Sequence, residues 1–584
     1  MGKMLKTLAA QIRQYRKATI ATPLLTLLEV VMEVLIPMVM ASIIDDGIEK
    51  GDMGHVFLCG GIMLVMAAMS LFFGILGGRT AAYASSGFAC NLRDSLFTHI
   101  QEFSFHNIDR FSTAGLVTRL TTDVTNIQNA FQMVMRICVR APIMLVSSLV
   151  LAIIINPKVS LVFVVAILVL APILFAICRR AMPLFDKVFD RYDELNASVQ
   201  ENISGIRVVK AFVREEHENE KFTKAADKIY EMFVKAESTV VLNNPVMMFV
   251  VYTCILALSW IGAKMIVAGS LTTGELTSLF AYVFSVLMSL MMLSMIFVML
   301  TLSLASARRI AEVLEEEPDL VSPEHADFDI PDGSVDFEQV SFAYGKGKPV
   351  LTDIDFHVKA GETIGILGGT GSAKSSLVNL ISRLYDVQTG CVKVGGKDVR
   401  GYDLETLRNE VSVVLQKNVL FSGTILENLR WGDKEATEEE CIRACKMACA
   451  DEFITQLPEG YNTYIEQGGT NVSGGQKQRI CIARALLKKP KILILDDSTS
   501  AVDTATDARI RRAFREEIPG TTKFIIAQRI SSIQDADRIL VLEDGRIDAF
   551  DTHENLLANN EIYRDVYNSQ TQGGGDFDEN GGEA

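Results

Sequence analysis

Six long apolar stretches dominate the first half of this 584-residue chain and constrain its fold more than any other feature. They lie at positions 18–44, 55–78, 141–155, 159–178, 245–268 and 276–302. A helix needs about 20 apolar residues to cross the hydrocarbon core of a bilayer. Five stretches reach that length, and the third reaches it only with residues from Met133 onward. The sequence therefore predicts an all-α membrane domain of six helices, followed after about position 307 by a soluble domain.

The connections between these stretches alternate in length and in charge. Those after the second and fourth stretches are long and rich in Arg and Lys, whereas the other three are short and carry little positive charge. Positive charge marks the cytoplasmic side of a membrane protein. This pattern predicts a multi-pass protein of the cell membrane with both termini, both long connections and the soluble domain in the cytoplasm.

Composition also predicts the domain boundaries. Basic and apolar residues interleave over 1–17, which indicates an amphipathic elbow helix lying on membrane lipid. The membrane domain is predicted over 18–314, and the acidic, Pro-containing stretch 315–333 is typical of a linker. Strand and helix patterns alternate over 334–568, as in an α/β domain. The acidic tail 569–584 is poor in apolar residues, so we expect it to be disordered.

Charge and cysteine usage exclude two other classes of site. A net charge of −15 argues against nucleic acid as a partner, because phosphate binding needs a basic surface. Cys441, Cys445 and Cys449 repeat every four residues but have no His at ligand spacing. We expect them to pack one helix face beside small residues rather than to hold a metal.

A glycine-rich loop follows the apolar run that starts at Thr363. It contains, in order, Gly368, Gly369, Thr370, Gly371, Ser372, Ala373, Lys374, Ser375 and Ser376. A strand, such a loop and then a helix form a P-loop, whose backbone N–H groups surround phosphates. The loop predicts ATP and Mg²⁺ as ligands, with Lys374 as a point charge and Ser375 on the metal.

One position departs from the P-loop pattern, because Ala373 stands where Gly is expected. If that backbone has positive φ, its methyl group costs about 1–2 kcal/mol. The N–H donors of the loop remain, so we expect nucleotide binding to be weakened rather than abolished.

A second apolar strand pattern begins after Lys491 and ends in two carboxylates, Asp496 and Asp497. This is a Walker B segment, in which Asp496 is expected to hold Mg²⁺ directly or through water. The P-loop and this segment together indicate only a nucleoside triphosphatase.

The deciding motif lies between those two. It consists of Ser473, Gly474, Gly475 and Gln476. In isolation this would be an ordinary turn with a helix cap, but its place in the chain resembles the signature motif of ABC transporters. Further family elements follow the same order: Tyr344, Gln416 (the Q-loop), 500–503 (the D-loop, ending in Asp503) and 527–529. The chain resembles bacterial ABC exporters over nearly its whole length, with Gly115 and 205–212 similar to their two coupling regions.

The resemblance implies specific roles. In the family, two ATP-binding domains enclose two ATP molecules, each between the P-loop of one chain and the signature of the other. Tyr344 would stack on adenine, and Gln416 would contact Mg²⁺ with Ser375 and Asp496. Ser473–Gln476 and Asp503 would act on the partner's ATP.

Three positions of this chain's own site depart from the family pattern. Asp497 stands where the family has a catalytic Glu, and its carboxylate reaches about 1 Å less far. A general base must lie within hydrogen-bond distance of the attacking water, so the shorter side chain should slow hydrolysis. Gln528 replaces the switch His, which in the family contacts the γ-phosphate region, and it has no titratable nitrogen. With Ala373, these changes predict a slow site and a heterodimer with a non-identical half-transporter.

The transported substrate is less constrained by the sequence. Glu29 and Glu33 lie one turn apart in the first span, where they could attract cationic substrates or join helices by hydrogen bonds. Methionines crowd the sixth span, among them Met292 and Met295, and suit either a promiscuous apolar site or ordinary packing. The resemblance favours export of small lipophilic or drug-like molecules. A homodimeric lipid or peptide exporter, an exporter-shaped importer and an ATP-gated channel remain as alternatives.

Overall fold

The computed structural model describes residues 2–345 and 347–572. The chain divides into two compact units. The first consists of Met1–Gln101 and Ser112–Glu316, and the second of Glu102–Phe111 and Glu317–Ala584.

The chain up to Leu314 folds into helices. These are α1 (Gly2–Ala10), α2 (Arg16–Ser42), α3 (Met53–Gln101), α4 (Phe105–Phe111), α5 (Thr113–Thr118), α6 (Val124–Ile155), α7 (Leu161–Ser204), α8 (Ile206–Ala211), α9 (Glu215–Val240), α10 (Asn243–Val267) and α11 (Thr273–Leu314).

Among the described residues, six helical segments are long and apolar enough to cross a membrane, which confirms the predicted number of spans. They are Arg13–Ile48, Met53–Gln101, Thr113–Ile155, Leu161–Phe185, Glu215–Val267 and Thr273–Phe297. The third apolar stretch is extended as expected, because α6 begins at Val124 and includes Met133.

The helices of the first unit pack around a shared apolar core. Its buried side chains come from α2, α6, α7, α10 and α11, together with Val159 and Leu271 in the connections before α7 and α11. Within it, the buried Tyr282 hydroxyl donates to the Val34 carbonyl oxygen at 2.8 Å, so its polar atom is satisfied inside the bundle. A capping box at Thr272 and Glu275 starts α11.

Helix α4 belongs to the second unit, so the predicted membrane domain 18–314 is interrupted there. The Tyr385 hydroxyl donates to the Asp109 carboxylate at 3.1 Å, and His106 lies 3.8 Å from the Asp319 carboxylate. These contacts join residues far apart in the sequence, so they could not be predicted from composition. Composition therefore assigned α4 to the membrane domain.

The second unit is an α/β domain. Its strands are β1 (Val335–Phe342), β2 (Leu351–Val358), β3 (Thr363–Gly368), β4 (Thr389–Val394), β5 (Lys397–Asp398), β6 (Val411–Val414), β7 (Gly423–Thr424), β8 (Tyr464–Ile465), β9 (Ile492–Asp496), β10 (Thr522–Ile526), β11 (Arg538–Glu543) and β12 (Arg546–Asp551). Its helices after α4 are α12 (Lys374–Ile381), α13 (Leu404–Glu410), α14 (Ile425–Leu429), α15 (Glu438–Met447), α16 (Asp451–Ile454), α17 (Gly474–Leu487), α18 (Thr504–Glu517), α19 (His553–Asn559) and α20 (Glu561–Gln572).

The strand order explains where a site can form. The larger sheet has the order β12-β11-β3-β10-β9-β6, and β11, β3, β10, β9 and β6 run parallel. Strand β9 is buried at every position, as expected for a central parallel strand. The carboxyl ends of β3, β10, β9 and β6 therefore meet at one edge, where α/β sheets bind ligands.

The predicted acidic tail overlaps the last helix of this unit. The sequence predicts a disordered tail from position 569, whereas α20 continues to Gln572, so residues 569–572 are helical. Positions 573–584 lie outside the described residues.

Cys441 and Cys445 are buried in α15 within the apolar core, and burial raises the pKa of Cys445 to about 12.

Candidate nucleotide-binding site

A cavity of about 580 Å³ lies at the carboxyl edge of the larger sheet. The chain supplies its walls from four strand ends, because the P-loop follows β3, Gln528 follows β10, Asp497 follows β9 and Gln416 follows β6. Predicted site residues that line it are Gly368, Gly369, Thr370, Gly371, Ala373, Lys374, Ser375, Ser376, Gln416, Asp496, Asp497 and Gln528. Residues far apart in sequence are thus brought to one cavity.

The P-loop wraps around the Lys374 side chain. Its ammonium donates to the carbonyl oxygens of Gly368 and Gly369, at 2.8 and 2.7 Å. Burial lowers the pKa of Lys374, and the charges of Asp496 and Asp497 oppose that shift. A Cβ built on Gly369 or Gly371 meets nothing within 4 Å, so this part of the loop leaves open space. Helix α12 starts at Lys374, with its N–H groups available for phosphate.

Ala373 adopts the left-handed conformation that the P-loop pattern reserves for glycine. Its φ is 68° and its ψ is 24°. The backbone of Ala373 therefore has the positive φ on which the predicted penalty depended. Its methyl group costs about 1–2 kcal/mol in stability. This strain belongs to the chain's own backbone, so it lowers the stability of the folded ATPase domain.

Replacing Ala373 by Gly is expected to increase the free energy of unfolding of the ATPase domain by about 0.5–1 kcal/mol. Relief of the left-handed strain is partly offset by the larger backbone entropy that glycine has when unfolded. Equilibrium denaturation followed by intrinsic fluorescence measures the change. Ala508→Gly is the matched control, since Ala508 is exposed in the interior of α18 and the same change there should cost about 1 kcal/mol. Equal losses in both variants would contradict the strain argument.

The residues expected to hold Mg²⁺ suit that ion. Ser375, Gln416 and Asp496 line the same cavity and offer the hydroxyl, amide and carboxylate oxygens that a hard cation prefers. Asp496 is only 6% exposed, and burial raises its pKa while a hydrogen bond from Ser375 lowers it. A cation beside a buried carboxylate stabilises its charged form and so offsets the desolvation that raises its pKa. Bound Mg²⁺ would neutralise phosphate charge at this position.

Asp497 and Gln528 contact each other directly. Gln528 Nε2 donates to the Asp497 carboxylate at 2.8 Å. The Asp497 backbone N–H donates to the Ile526 carbonyl oxygen at 3.1 Å, and its φ is 47°, a left-handed value that Asp tolerates better than most residues. One carboxylate oxygen is thus committed to an amide donor.

Two predicted site residues lie beside the cavity rather than in its lining. Ser372 is buried and its hydroxyl donates to the Gly369 carbonyl oxygen at 2.9 Å, so it shapes the loop. The Tyr344 hydroxyl lies 2.8 Å from Ser376 Oγ, and its ring is edge-on to Tyr385 at 5.1 Å. This leaves Tyr344 partly exposed, at 42%.

The signature residues form the start of α17 and do not line this cavity. Ser473 and Gln476 make a capping box in which the Ser473 hydroxyl accepts from the Gln476 N–H at 3.3 Å and the Gln476 side chain accepts from the Ser473 N–H at 2.9 Å. A Cβ on Gly475 would lie 2.7 Å from the Ala501 carbonyl oxygen, so the signature packs on the D-loop. Asp503 caps α18 by accepting from the Thr506 N–H at 2.9 Å.

The structure adds residues of α20 that the sequence did not indicate. Ile562 and Val566 line the cavity, and Gln570 pairs with the main chain at Gln528 and Ile530. No motif marks these residues, since α20 ends the described chain and reads as an ordinary amphipathic helix. Only tertiary packing brings them to the P-loop.

The two membrane carboxylates have a partner that the sequence did not single out. In the first unit, Arg140 Nη1 donates to Glu29 Oε1 at 2.5 Å, and its Nη2 donates to Glu33 Oε2 at 2.6 Å. Arg136 Nη2 lies 3.9 Å from Glu29 Oε2. This geometry favours the structural role left open above, because α2 and α6 are joined by an ion pair.

The two methionines singled out in the sixth span both lie on α11. Met292 is 37% and Met295 64% exposed. Their exposure in a single chain is compatible both with a substrate surface and with packing against another chain or lipid.

Family comparisons agree with this arrangement of domains. Residues 19–291 match the family of the ABC transporter transmembrane region, and residues 351–500 match the ABC transporter family.

Similar proteins extend over almost the whole chain. The uncharacterized ABC transporter ATP-binding protein YfiB of Bacillus subtilis is 39% identical over 551 residues, covering 94% of this chain and 95% of that protein. A fatty acid ABC transporter ATP-binding/permease protein of Mycobacterium bovis is 34% identical over 474 residues, covering 81% and 75%. The structure of a bacterial Atm1-family ABC exporter with ATP bound is similar with a TM-score of 0.84 and 25% identity, covering 95% of this chain and 99% of that one.

Proposed function

Because this chain belongs to the ABC transporter family and carries the membrane and ATP-binding domains of an exporter half, we propose that it works in a heterodimer as the half with the slow ATP site. Exporters of this family act as dimers and couple ATP hydrolysis to transport.

The contact between Asp497 and Gln528 carries the proposal. A general base must reach the water that attacks the γ-phosphate, and its contribution of about 10²–10⁴-fold depends on that reach. Asp497 has a short side chain, and the Gln528 amide takes one of its oxygens at 2.8 Å. The Gln528 amide cannot accept a proton, so the P-loop would still bind nucleotide while hydrolysis at this site would be slow.

The residues that serve the other site are complete. Ser473, Gly475 and Gln476 keep the family pattern, and the capping box holds the Ser473 hydroxyl at the start of α17. In the heterodimer these residues act on ATP bound by the partner's P-loop, where the partner supplies the Glu and His. ATP binding then closes the dimer toward an outward-facing state, and hydrolysis at the partner's site resets it.

We place the protein in the cell membrane with its termini and ATPase domain in the cytoplasm, on the distribution of Arg and Lys. The substrate is proposed to be a small lipophilic molecule that enters from the membrane. The fatty acid transporter among the similar proteins supports a lipid, and it also supports the second candidate, a homodimeric lipid exporter.

The test compares two substitutions in the complex isolated from its native membrane. Ser473→Asp keeps a residue that can cap the helix, but it places a negative charge next to the γ-phosphate of the ATP bound by the partner. It is expected to abolish most ATPase activity. Asp497→Asn in this chain is expected to change the steady-state rate less than twofold, because the partner's site carries the hydrolysis.

Ser473→Thr serves as the matched control and should keep activity. Two equal losses, from Ser473→Asp and from Asp497→Asn, would overturn the slow site and favour the homodimer. Mass spectrometry of the same complex shows directly whether a second half-transporter is present. ATP-dependent uptake of a labelled fatty acid into inverted vesicles distinguishes the lipid candidate from other lipophiles.

A further inference from the structure

The C-terminal helix α20 contacts the segment that carries Gln528. Gln570 Nε2 donates to the Gln528 carbonyl oxygen at 2.8 Å, and Gln570 Oε1 accepts from the Ile530 N–H at 2.8 Å. One side-chain amide therefore pairs with two main-chain groups on either side of Arg529. The pairing uses a donor and an acceptor together, so only an amide side chain of this length satisfies both.

The position of the Gln528 main chain decides where its side chain lies. Strand β10 ends at Ile526, and the N–H of Ala527 makes a last, long hydrogen bond of 3.4 Å to the Ile366 carbonyl oxygen. Beyond that residue the segment leaves the sheet, and the Gln528 side chain is exposed. The pairing with Gln570 holds this segment where the Gln528 amide reaches Asp497.

Helix α20 is anchored independently of Gln570. Tyr563 is fully buried, and its hydroxyl lies 2.7 Å from His553 Nδ1. Ile562 and Val566 pack against the apolar core and also line the nucleotide cavity. Gln570 itself is exposed, so changing its head group should leave the helix in place.

We propose that Gln570 is a positioning residue of this chain's ATP site, which holds the Gln528 amide beside Asp497 where it contacts the γ-phosphate of ATP. The inference rests on the proposed function, in which Gln528 takes the place of the family's switch His at that phosphate. It makes the preference of the site for ATP over ADP depend on the C-terminal helix.

Three variants separate this role from a general effect on folding. Gln570→Ala removes both hydrogen bonds. Gln570→Glu keeps the size and the acceptor for the Ile530 N–H, but it sets a carboxylate oxygen against the Gln528 carbonyl oxygen, so two acceptors face each other. Asn568→Ala is the matched control, since it removes an exposed amide from the same helix.

The readout is ATP-over-ADP preference at this chain's own P-loop. Photolabelling of the complex with 8-azido-ATP, followed by gel separation of the two subunits, reports this P-loop alone, and competing ATP or ADP gives the ratio of affinities. Gln570→Ala and Gln570→Glu are expected to lower the ratio about 3- to 10-fold, the range of one net hydrogen bond. Asn568→Ala should leave it unchanged.

The same substitution in a Gln528→Ala background completes a double-mutant cycle. Without the Gln528 amide, Gln570→Ala should produce no further loss. A further loss of the same size would show a structural effect and overturn the proposal. If Gln528→Ala lowers the ratio but Gln570→Ala does not, the inference alone fails. If Gln528→Ala leaves the ratio unchanged, the role assigned to Gln528 fails and the inference fails with it.

Discussion

Replacing Asp497 by Glu is expected to raise ATP hydrolysis at this chain's own site by about 10²-fold, the lower end of what a positioned general base contributes. The extra methylene moves the carboxylate toward the γ-phosphate and away from its hydrogen bond with Gln528, which is 2.8 Å long. The upper end is not expected, because Gln528 still cannot act as the switch His does.

The measurement needs the other site to be silent. Ser473→Asp in this chain provides that background, since its signature completes the partner's site, so the remaining phosphate release comes from this chain's P-loop. Asp497→Asn in the same background is the control and should lower the residual rate only slightly. A large loss from Asp497→Asn would mean that Asp497 already acts as the base.

Replacing Arg140 by Met is expected to lower the free energy of unfolding of the membrane unit by about 3 kcal/mol. Removal of one partner of a buried ion pair leaves an uncompensated charge, which typically costs 3–5 kcal/mol. The Glu29 side chain is only 9% exposed, and Arg136 at 3.9 Å is a weaker substitute partner. Unfolding in mixed detergent micelles, followed by circular dichroism, measures the loss.

Two further variants test the cause. Arg140→Met combined with Glu29→Gln and Glu33→Gln removes all three charges and should recover more than half of the stability. Arg179→Met, an exposed position on α7, should change it by less than about 0.5 kcal/mol. If the triple variant is as unstable as Arg140→Met, lost packing of the long side chain is responsible rather than the charge.

Short-range chemistry explains why much of this protein could be predicted from its sequence. The residues of the P-loop, Gly368 to Ser376, are contiguous, so their pattern alone implies the loop and its phosphate contacts. The spans follow from the length of an apolar run against the thickness of a bilayer. Even the strain at Ala373 could be stated beforehand as a condition on φ, which the value of 68° meets.

Contacts between distant segments account for what could not be predicted. Glu29 and Glu33 are visible as carboxylates in a span, but their pairing with Arg140 depends on how α2 and α6 pack. Composition placed the end of the ordered chain before 569, whereas the hydrogen bonds of Gln570 fall beyond that point. Helix α4 groups with the ATPase domain for the same reason.

The sequence by itself determined the class of this protein, six membrane helices and an ATPase domain with a P-loop, a Walker B segment and a signature, because each of these depends on neighbouring residues. Only the tertiary structure decided which residues share a site. The strand order β3-β10-β9-β6 brings Lys374, Gln528, Asp497 and Gln416 to one cavity and lets α20 support it. That order comes from the burial of central strands between helices, a balance over the whole domain that no local pattern records.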